Sequence, residues 1–432
     1  MSRLSRSLTL AAVSLAALVA AQGGAHAGAF AIREQSASAQ GYSFAGVASG
    51  SGNLSSMFWN PAVITMMPGW NTEASLSLII PRVEIDPTTG TFPLFLPLGG
   101  SGDIGQDALV PASYNSYQIN DMLWVGLSTT SPYGLVTDPR DNWAGQVYSR
   151  SSKIFSLNVN PVVGIKINDW ISVAAGPSLQ YFDIRLKRAA APTPGAPSII
   201  LDGDDIGFGF TAGVTLTPFA GTTIGIGYRS QIDHELEGTV TSPAGRIPIS
   251  SDLTTPDQLT IGISQAITPA LTVHAGFEWT NWSVLETPLV TGPGGVVVTD
   301  LPLNYKDGYF YSLGFDYKVN NQLTLRAGVA YEESPIDTEI RSTRLPDNDR
   351  IWASVGASYQ WNNKLSFDVA YTHIFSKETD IRIVPGHQDF PDVSAPFVAD
   401  VDASTDIITV GLRYRWDDPA VAIPAAPIVR KY

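Results

Sequence analysis

Apolar and polar residues alternate with a period of two through most of residues 70–416. Leu323, Leu325, Ala327, Val329 and Tyr331 point one way; Thr324, Arg326, Gly328, Ala330 and Glu332 point the other. The same alternation runs through Leu271 to Thr280, Ile351 to Tyr359 and Ile408 to Trp416. A period of two marks strands with one apolar face. Fourteen such segments follow one another, and the gaps between them alternate long and short. Short gaps fall at Asn120-Asp121, Asn168-Asp169, Pro218 to Gly221, Thr268 to Ala270, Val319 to Asn321 and Trp361 to Asn363. The long gaps cover roughly 87–110, 131–146, 188–203, 238–256, 286–307, 334–348 and 377–404. A soluble sandwich would keep its turns short on both sides. Strands of about ten residues, apolar outward and polar inward, with long loops on one side only, are what a transmembrane barrel requires. The expected fold is all-β: a 14-stranded antiparallel transmembrane β-barrel over 70–416, with an N-terminal plug in the lumen.

The N-terminus supplies the export route. Arg3 and Arg6 precede an apolar run from Leu8 to Ala20, and Ala25-His26-Ala27 forms a small-x-small cleavage site before Gly28. Residues 1–27 are therefore read as a signal peptide. No later segment has the run of about 20 apolar residues that a spanning helix needs. Backbone groups in lipid must be paired internally, so strands can cross only as a closed barrel.

Composition sharpens this reading. Hydrophobic content is 44% and charge 15%, yet no segment after the leader is continuously apolar. Ten Trp and sixteen Tyr include Trp124, Trp170, Trp279, Trp352, Trp416, Tyr317, Tyr359 and Tyr414 near strand ends, as interfacial belts favour. There is no Cys, hence no disulfide and no thiolate metal site. The net charge of −14 becomes −16 once Arg3 and Arg6 leave with the leader, which argues against nucleic acid as a partner. The surplus carboxylates, among them Asp202, Asp204, Asp205, Asp347, Asp349, Asp392, Asp400 and Asp402, gather in long loops. They solvate those loops, with lipopolysaccharide and outer-membrane lipids as the expected surroundings.

An even strand number puts both mature ends on one side. That side is periplasmic, because short turns face the periplasm and long loops the exterior. Residues 417–432, with Pro419, Pro424 and Pro427, read as an irregular periplasmic tail. Eight strands can be filled by side chains, whereas 16 to 18 leave a water channel, so fourteen enclose a lumen that is either filled or an open pore. Residues 28–69 are the candidate filling. They are rich in Gly, Ser and Ala, but carry Phe30, Ile32, Tyr42, Phe44, Met57, Phe58 and Trp59, too many apolar anchors for a segment left in water.

Several short motifs then resemble a known family. Glu34-Gln35-Ser36-Ala37-Ser38, Phe44-Ala45-Gly46 and Asn60-Pro61-Ala62 followed by Ile64-Thr65-Met66 resemble the N-terminal hatch of FadL-type outer-membrane transporters. Ser131-Pro132-Tyr133-Gly134-Leu135, Gly207-Phe208-Gly209-Phe210, Tyr228-Arg229-Ser230, Tyr305-Lys306-Asp307 and Pro346-Asp347-Asn348-Asp349-Arg350 continue the resemblance through the barrel. None is specific alone; their order across one chain is. The resemblance implies passive uptake of hydrophobic compounds, long-chain fatty acids in one branch and monoaromatic hydrocarbons in another. It implies capture among the loops, an internal pocket capped by the N-terminus, and lateral release through the barrel wall. It places the ligand's carboxylate on Arg188 and Lys306, the pocket cap on Phe30, and the wall kink on Gly134. Arg185 and Lys187 compete with Arg188, because three cations crowd the segment 185–188. Pro132 removes a ladder donor beside Gly134, although a plain loop turn explains the same pair. Asn60, Pro61 and Ala62 suit a fixed turn within the plug rather than ligand contact.

No enzyme is expected. His26 leaves with the leader, and His234, His274, His373 and His387 show no ligand spacing. Gly41-Tyr42-Ser43-Phe44-Ala45 misses the nucleophile-elbow pattern and its strand-to-helix context. No metal, cofactor or energy source is expected, and the chain is expected to act as a monomer in the bacterial outer membrane. Two other readings stay open: the same barrel specialised for monoaromatic hydrocarbons, and a structural or adhesive surface barrel without transport. The apolar run Phe92, Leu94, Phe95, Leu96 and Leu98 in the first long loop favours a binding surface over the last of these, although packing against neighbouring loops explains the same run.

Overall fold

The computed structural model describes residues 28–417. The expected signal peptide, and the expected tail beyond Asp417, lie outside the described residues. The wall strands are β1 (Trp70–Pro87), β2 (Ala108–Gln118), β3 (Leu123–Thr130, then Gly134–Thr137), β4 (Ser151–Lys166) and β5 (Ile171–Ala189). Next come β6 (Ser198–Phe219), β7 (Thr222–Arg229, then Ile232–Ser242), β8 (Gly245–Thr255, then Gln258–Ala266) and β9 (Leu271–Thr280). The circuit ends with β10 (Gly308–Lys318), β11 (Leu323–Glu333), β12 (Arg350–Gln360), β13 (Leu365–Ser376, then Thr379–Ile383) and β14 (Phe397–Arg415). Each pairs antiparallel with the next, and β14 closes on β1 from Asn71↔Arg415 to Pro87↔Ala399. The wall is a closed barrel of fourteen antiparallel strands. Closure leaves no free edge in lipid.

Lipid reverses the usual hydrophobic rule, and the strands show it. Leu325, Val329 and Tyr331 on β11 are exposed outward, as are Ile351 and Val355 on β12. Arg326 and Glu332 face the lumen, where they are buried. The short turns share one device. Asn120, Asn168, Asn320 and Asn362 each accept, through the side-chain carbonyl, two backbone N–H groups two and three residues on, and Thr268 does so through its hydroxyl. Such local acceptors fix tight turns without tertiary help.

One expectation needs correcting. The span 238–256 is not a loop, because β7 and β8 continue through it as a hairpin from Thr255↔Ile232 to Gly245↔Ser242. The period of two persists there, but its phase inverts. Leu236, Val240, Ile249 and Leu253 are buried on the inside, with polar residues such as Glu235 and Glu237 outside. Above the membrane, water rather than lipid bathes the outer face, so the apolar stripe changes sides.

Residues 28–69 fold inside the barrel as a short helix (Ala37–Gln40) and 3₁₀ turns at Val47–Ser49, Asn53–Phe58 and Pro61–Met66. Wall glycines make room for this hatch. A Cβ on Gly227 would lie 1.8 Å from the Trp59 carbonyl oxygen, and one on Gly328 2.3 Å from that of Tyr42. Several buried lumen charges are paired, which offsets the cost of their burial. Asp368 sits between Arg413 at 2.8 Å and Arg326 at 3.3 Å, and Arg33 on the hatch meets Glu278 on β9 at 2.8 Å.

Candidate functional site: an apolar cavity above the hatch

The first described residues thread up the lumen to the level of the break in β3. The backbone N–H of Gly28 donates to Glu332 Oε1 (2.9 Å) and that of Ala29 to Asp347 Oδ2 (3.0 Å). Ala31 then bridges Tyr133 antiparallel, with Ile32 N–H donating to Pro132 O (2.8 Å) and Gly134 N–H to Phe30 O (2.9 Å). The hatch therefore occupies the ladder position that β3 abandons between Thr130 and Gly134. Gly134 leaves room for this approach: a Cβ there would lie 2.5 Å from Ile32 Cδ1, the movable end of that side chain. On the other side, β2 pairs with β3 only from Ser113 to Gln118, so Ala108 to Ala112 have no ladder partner there. The wall is thus interrupted between β2 and the upper part of β3.

Phe30 is 3% exposed and makes edge contacts with Trp282 (4.8 Å), Tyr133 (5.8 Å) and Phe182 (6.4 Å). Phe30, at the centre of this aromatic hub, lines a cavity of about 470 Å³ on the long-loop side. That volume falls within the ordinary range for small-molecule sites. Its walls are largely apolar, with Leu135, Ile154, Ile184, Leu186, Leu253, Leu301 and Leu345 prominent. Tyr305 also lines it. Burial, and then the fields of Asp347 and Asp389, push its phenol pKa above the usual value, so it remains a hydroxyl donor.

Strand parity resolves the crowded cations of β5. Phe182, Ile184 and Leu186 face inward, and Arg188 follows them into the cavity lining. Arg185 is exposed, and Lys187 pairs with Asp141 at 3.3 Å. Among the described residues Arg188 has no ion pair. Lys306 lies apart from this cavity. Its ammonium is half exposed, bonds Asp337 Oδ1 at 2.6 Å and does not line the cavity, whereas its neighbour Tyr305 does. The second arginine in the lining is Arg344, in the loop before β12, which no sequence signal marked; Asp300 and Asp389 line the cavity too.

Asn60, Pro61 and Ala62 stand apart from the cavity and lock the hatch to the wall. Asn60 is fully buried and caps the turn Pro61–Met66 by accepting Ala62 N–H (3.0 Å). Its amide donates to Ala48 O (2.7 Å) and to Val214 O on β6 (3.0 Å). Asn60→Ala should leave these carbonyls unmet at about 1–3 kcal/mol. Hydrogen exchange of hatch amides is then expected to accelerate while the wall strands stay protected; unchanged hatch exchange would contradict the anchoring role.

Comparison with known proteins fits this geometry. The family described as "Outer membrane protein transport protein (OMPP1/FadL/TodX)" matches residues 16–416. A long-chain fatty acid transport protein of Escherichia coli O6:H1 is 27% identical over 394 residues, covering 81% of this chain and 87% of that protein. A 47 kDa outer membrane protein of Pasteurella multocida is 28% identical, covering 93% and 97%. The crystal structure of a Pseudomonas aeruginosa FadL homologue superposes with a TM-score of 0.80 at 23% identity, over 90% of this chain and all of that one. The Ralstonia pickettii toluene transporter TbuX gives 0.65 at 18% identity, over 89% and 100%. At these identities the two structures speak for the fold alone. Since the family match runs through the hatch and every wall strand, the chain belongs to this outer-membrane transport family and is a transporter of hydrophobic compounds in the bacterial outer membrane.

Proposed function

We propose that the chain takes up long-chain fatty acids, holding the acyl chain in the cavity above Phe30 and the carboxylate on Arg188. The carrying observation is that Arg188, a cation without an ion pair among the described residues, lines a largely apolar cavity whose other charged lining residues are Arg344, Asp300 and Asp389. An acyl chain gains about 0.8 kcal/mol per buried CH₂, which favours a dry cavity and then lipid over any aqueous channel. A charge-assisted contact compensates the carboxylate for lost water. The names of the fatty-acid-transporting relatives support this reading. Capture begins among the loops, where Phe92 and Leu94 are exposed while Phe95 is buried beneath them. Release runs sideways through the break between β2 and β3 once residues 30–32 withdraw from 132–134. No step needs an energy source, because each transfer moves the chain between apolar surroundings.

The test is binding of a long-chain fatty acid and of its methyl ester by the detergent-purified protein. A charged hydrogen bond is worth about 1.5–3 kcal/mol, so the acid should bind about ten- to a hundredfold tighter, and Arg188→Ala should erase that difference. Lys306→Ala should leave it intact. Equal binding of acid and ester by the unaltered protein would overturn the fatty-acid reading and favour uncharged, monoaromatic cargo.

A further inference from the structure

A second cation lies deeper in the lumen, outside the cavity. Arg229 ends the first segment of β7 and is 5% exposed. Arg33, Arg326, Arg350 and Arg413 each face a carboxylate. Arg229 has no ion pair among the described residues. Its Nη2 donates to the Phe58 carbonyl of the hatch at 2.9 Å, and its guanidinium lies over the Phe58 ring at 4.3 Å. With the Asn158 amide oriented to match its neighbours, Nη1 donates to Asn158 Oδ1 at 3.2 Å. Nε has no partner among the described residues.

The position of this cation matters as much as its charge. Asn158 pairs with Thr130, the last residue of β3 before the break. The hydroxyls of Ser128 and Thr130, on the buried face of that strand end, also have no partner among the described residues. Arg229 thus reaches Asn158, the ladder partner of the last β3 residue before the wall interruption, on a strand end that carries two hydroxyls without a partner among the described residues. A buried cation held by a peptide carbonyl, a side-chain amide and an aromatic face is incompletely compensated. A carboxylate is a better acceptor than a carbonyl for a guanidinium, because the bond is assisted by charge on both sides.

We propose that Arg229 is an internal carboxylate-binding station, occupied in the closed state by the Phe58 carbonyl and in transit by the head group of the ligand. The proposal rests on the fatty-acid reading above and deepens it. Phe58 ends the hatch turn Asn53–Phe58. A carboxylate that takes its place on Arg229 removes one of the hatch's bonds to the wall. Arrival of cargo and release of the hatch are then the same exchange, made next to the exit.

The experiment compares initial uptake of a long-chain fatty acid and its methyl ester by cells producing the parent chain, Arg229→Gln or Arg229→Lys. Arg229→Gln retains a donor for Phe58 O but loses the charge. Acid uptake should fall about tenfold, the size of one lost charge-assisted contact. Ester uptake, and acid binding by the purified protein, should stay within about twofold, and Arg229→Lys should restore most acid uptake. Equal loss for acid and ester would mark Arg229 as a plain hatch clamp and overturn the proposal, as would undiminished acid uptake. Should Arg229→Gln fail to assemble, hydrogen exchange on the parent protein decides. Added acid, but not ester, should speed exchange within 53–58, and no difference between the two ligands overturns the station. Failure of the fatty-acid reading looks different, because the parent itself would then bind acid and ester alike.

Discussion

Replacing Gly227 with valine is expected to open the lumen to ions. Gly227 lies on the inner face of β7, where a Cβ would stand 1.8 Å from Trp59 O, 2.7 Å from Trp59 C and 2.9 Å from Asn60 Cα. All three are backbone atoms, so no side chain can swing aside. The clash falls at the Asn60 anchor, whose bonds to Ala48 and Val214 depend on that backbone's position. Ordinary overpacking costs about 1–3 kcal/mol, and a contact this short lies at or beyond the upper end. About 3 kcal/mol shifts the docked-to-undocked ratio of the hatch roughly a hundredfold. A fourteen-stranded wall without its filling is wide enough for water. Planar-bilayer recordings should show frequent open events for Gly227→Val. Ile226→Val, one residue away on the lipid face, should stay as quiet as the parent. A silent, folded Gly227→Val protein would mean that the wall yields rather than the hatch.

How much of this was legible in the sequence depends on which solvent shaped each stretch. Along β11 and β12 lipid forces apolar residues outward, so Leu325, Val329, Ile351 and Val355 write the strands plainly. Along 232–255 the same period continues with Leu236 and Leu253 turned inward, and the change of phase reads as the end of a strand. Pro132 and Gly134 mark a disturbance in β3. What fills it, residues 30–32, is a pairing across about a hundred positions that no local pattern encodes. Arg188 required only the parity of its strand to separate it from Arg185 and Lys187. Lys306 and Arg344 sit in loops, where parity has no meaning, so no periodic pattern tells that Arg344 lines the cavity while Lys306 bonds Asp337 outside it. Arg229 stood within a motif noticed only as a resemblance. Its lack of a counter-charge is a property of the folded lumen, visible only once Phe58 and Asn158 are placed around it.

The largest effect on transport is expected from fastening the hatch to the break it fills. Ala31 and Tyr133 face each other across an antiparallel bridge whose hydrogen bonds are made by their neighbours, Ile32 to Pro132 and Gly134 to Phe30. In such a non-hydrogen-bonded pair the Cα atoms stand about 4.5 Å apart, within the span that a disulfide can bridge. The chain has no cysteine of its own, so Ala31→Cys with Tyr133→Cys forms one defined crosslink. Oxidised, it should hold Phe30 over the floor of the cavity and keep residues 30–32 in the wall. Ligand should still enter the outer cavity and find Arg188, yet have no way into the bilayer. The decisive measurement is uptake of labelled long-chain fatty acid by cells carrying this double variant, before and after a reductant, with each single variant as control. The account predicts uptake at about a tenth of the reduced level or lower in the oxidised state, recovery on reduction, and ligand binding in both states. Undiminished uptake through the crosslinked protein would show that cargo leaves by another path, and would contradict lateral release past the withdrawn N-terminus.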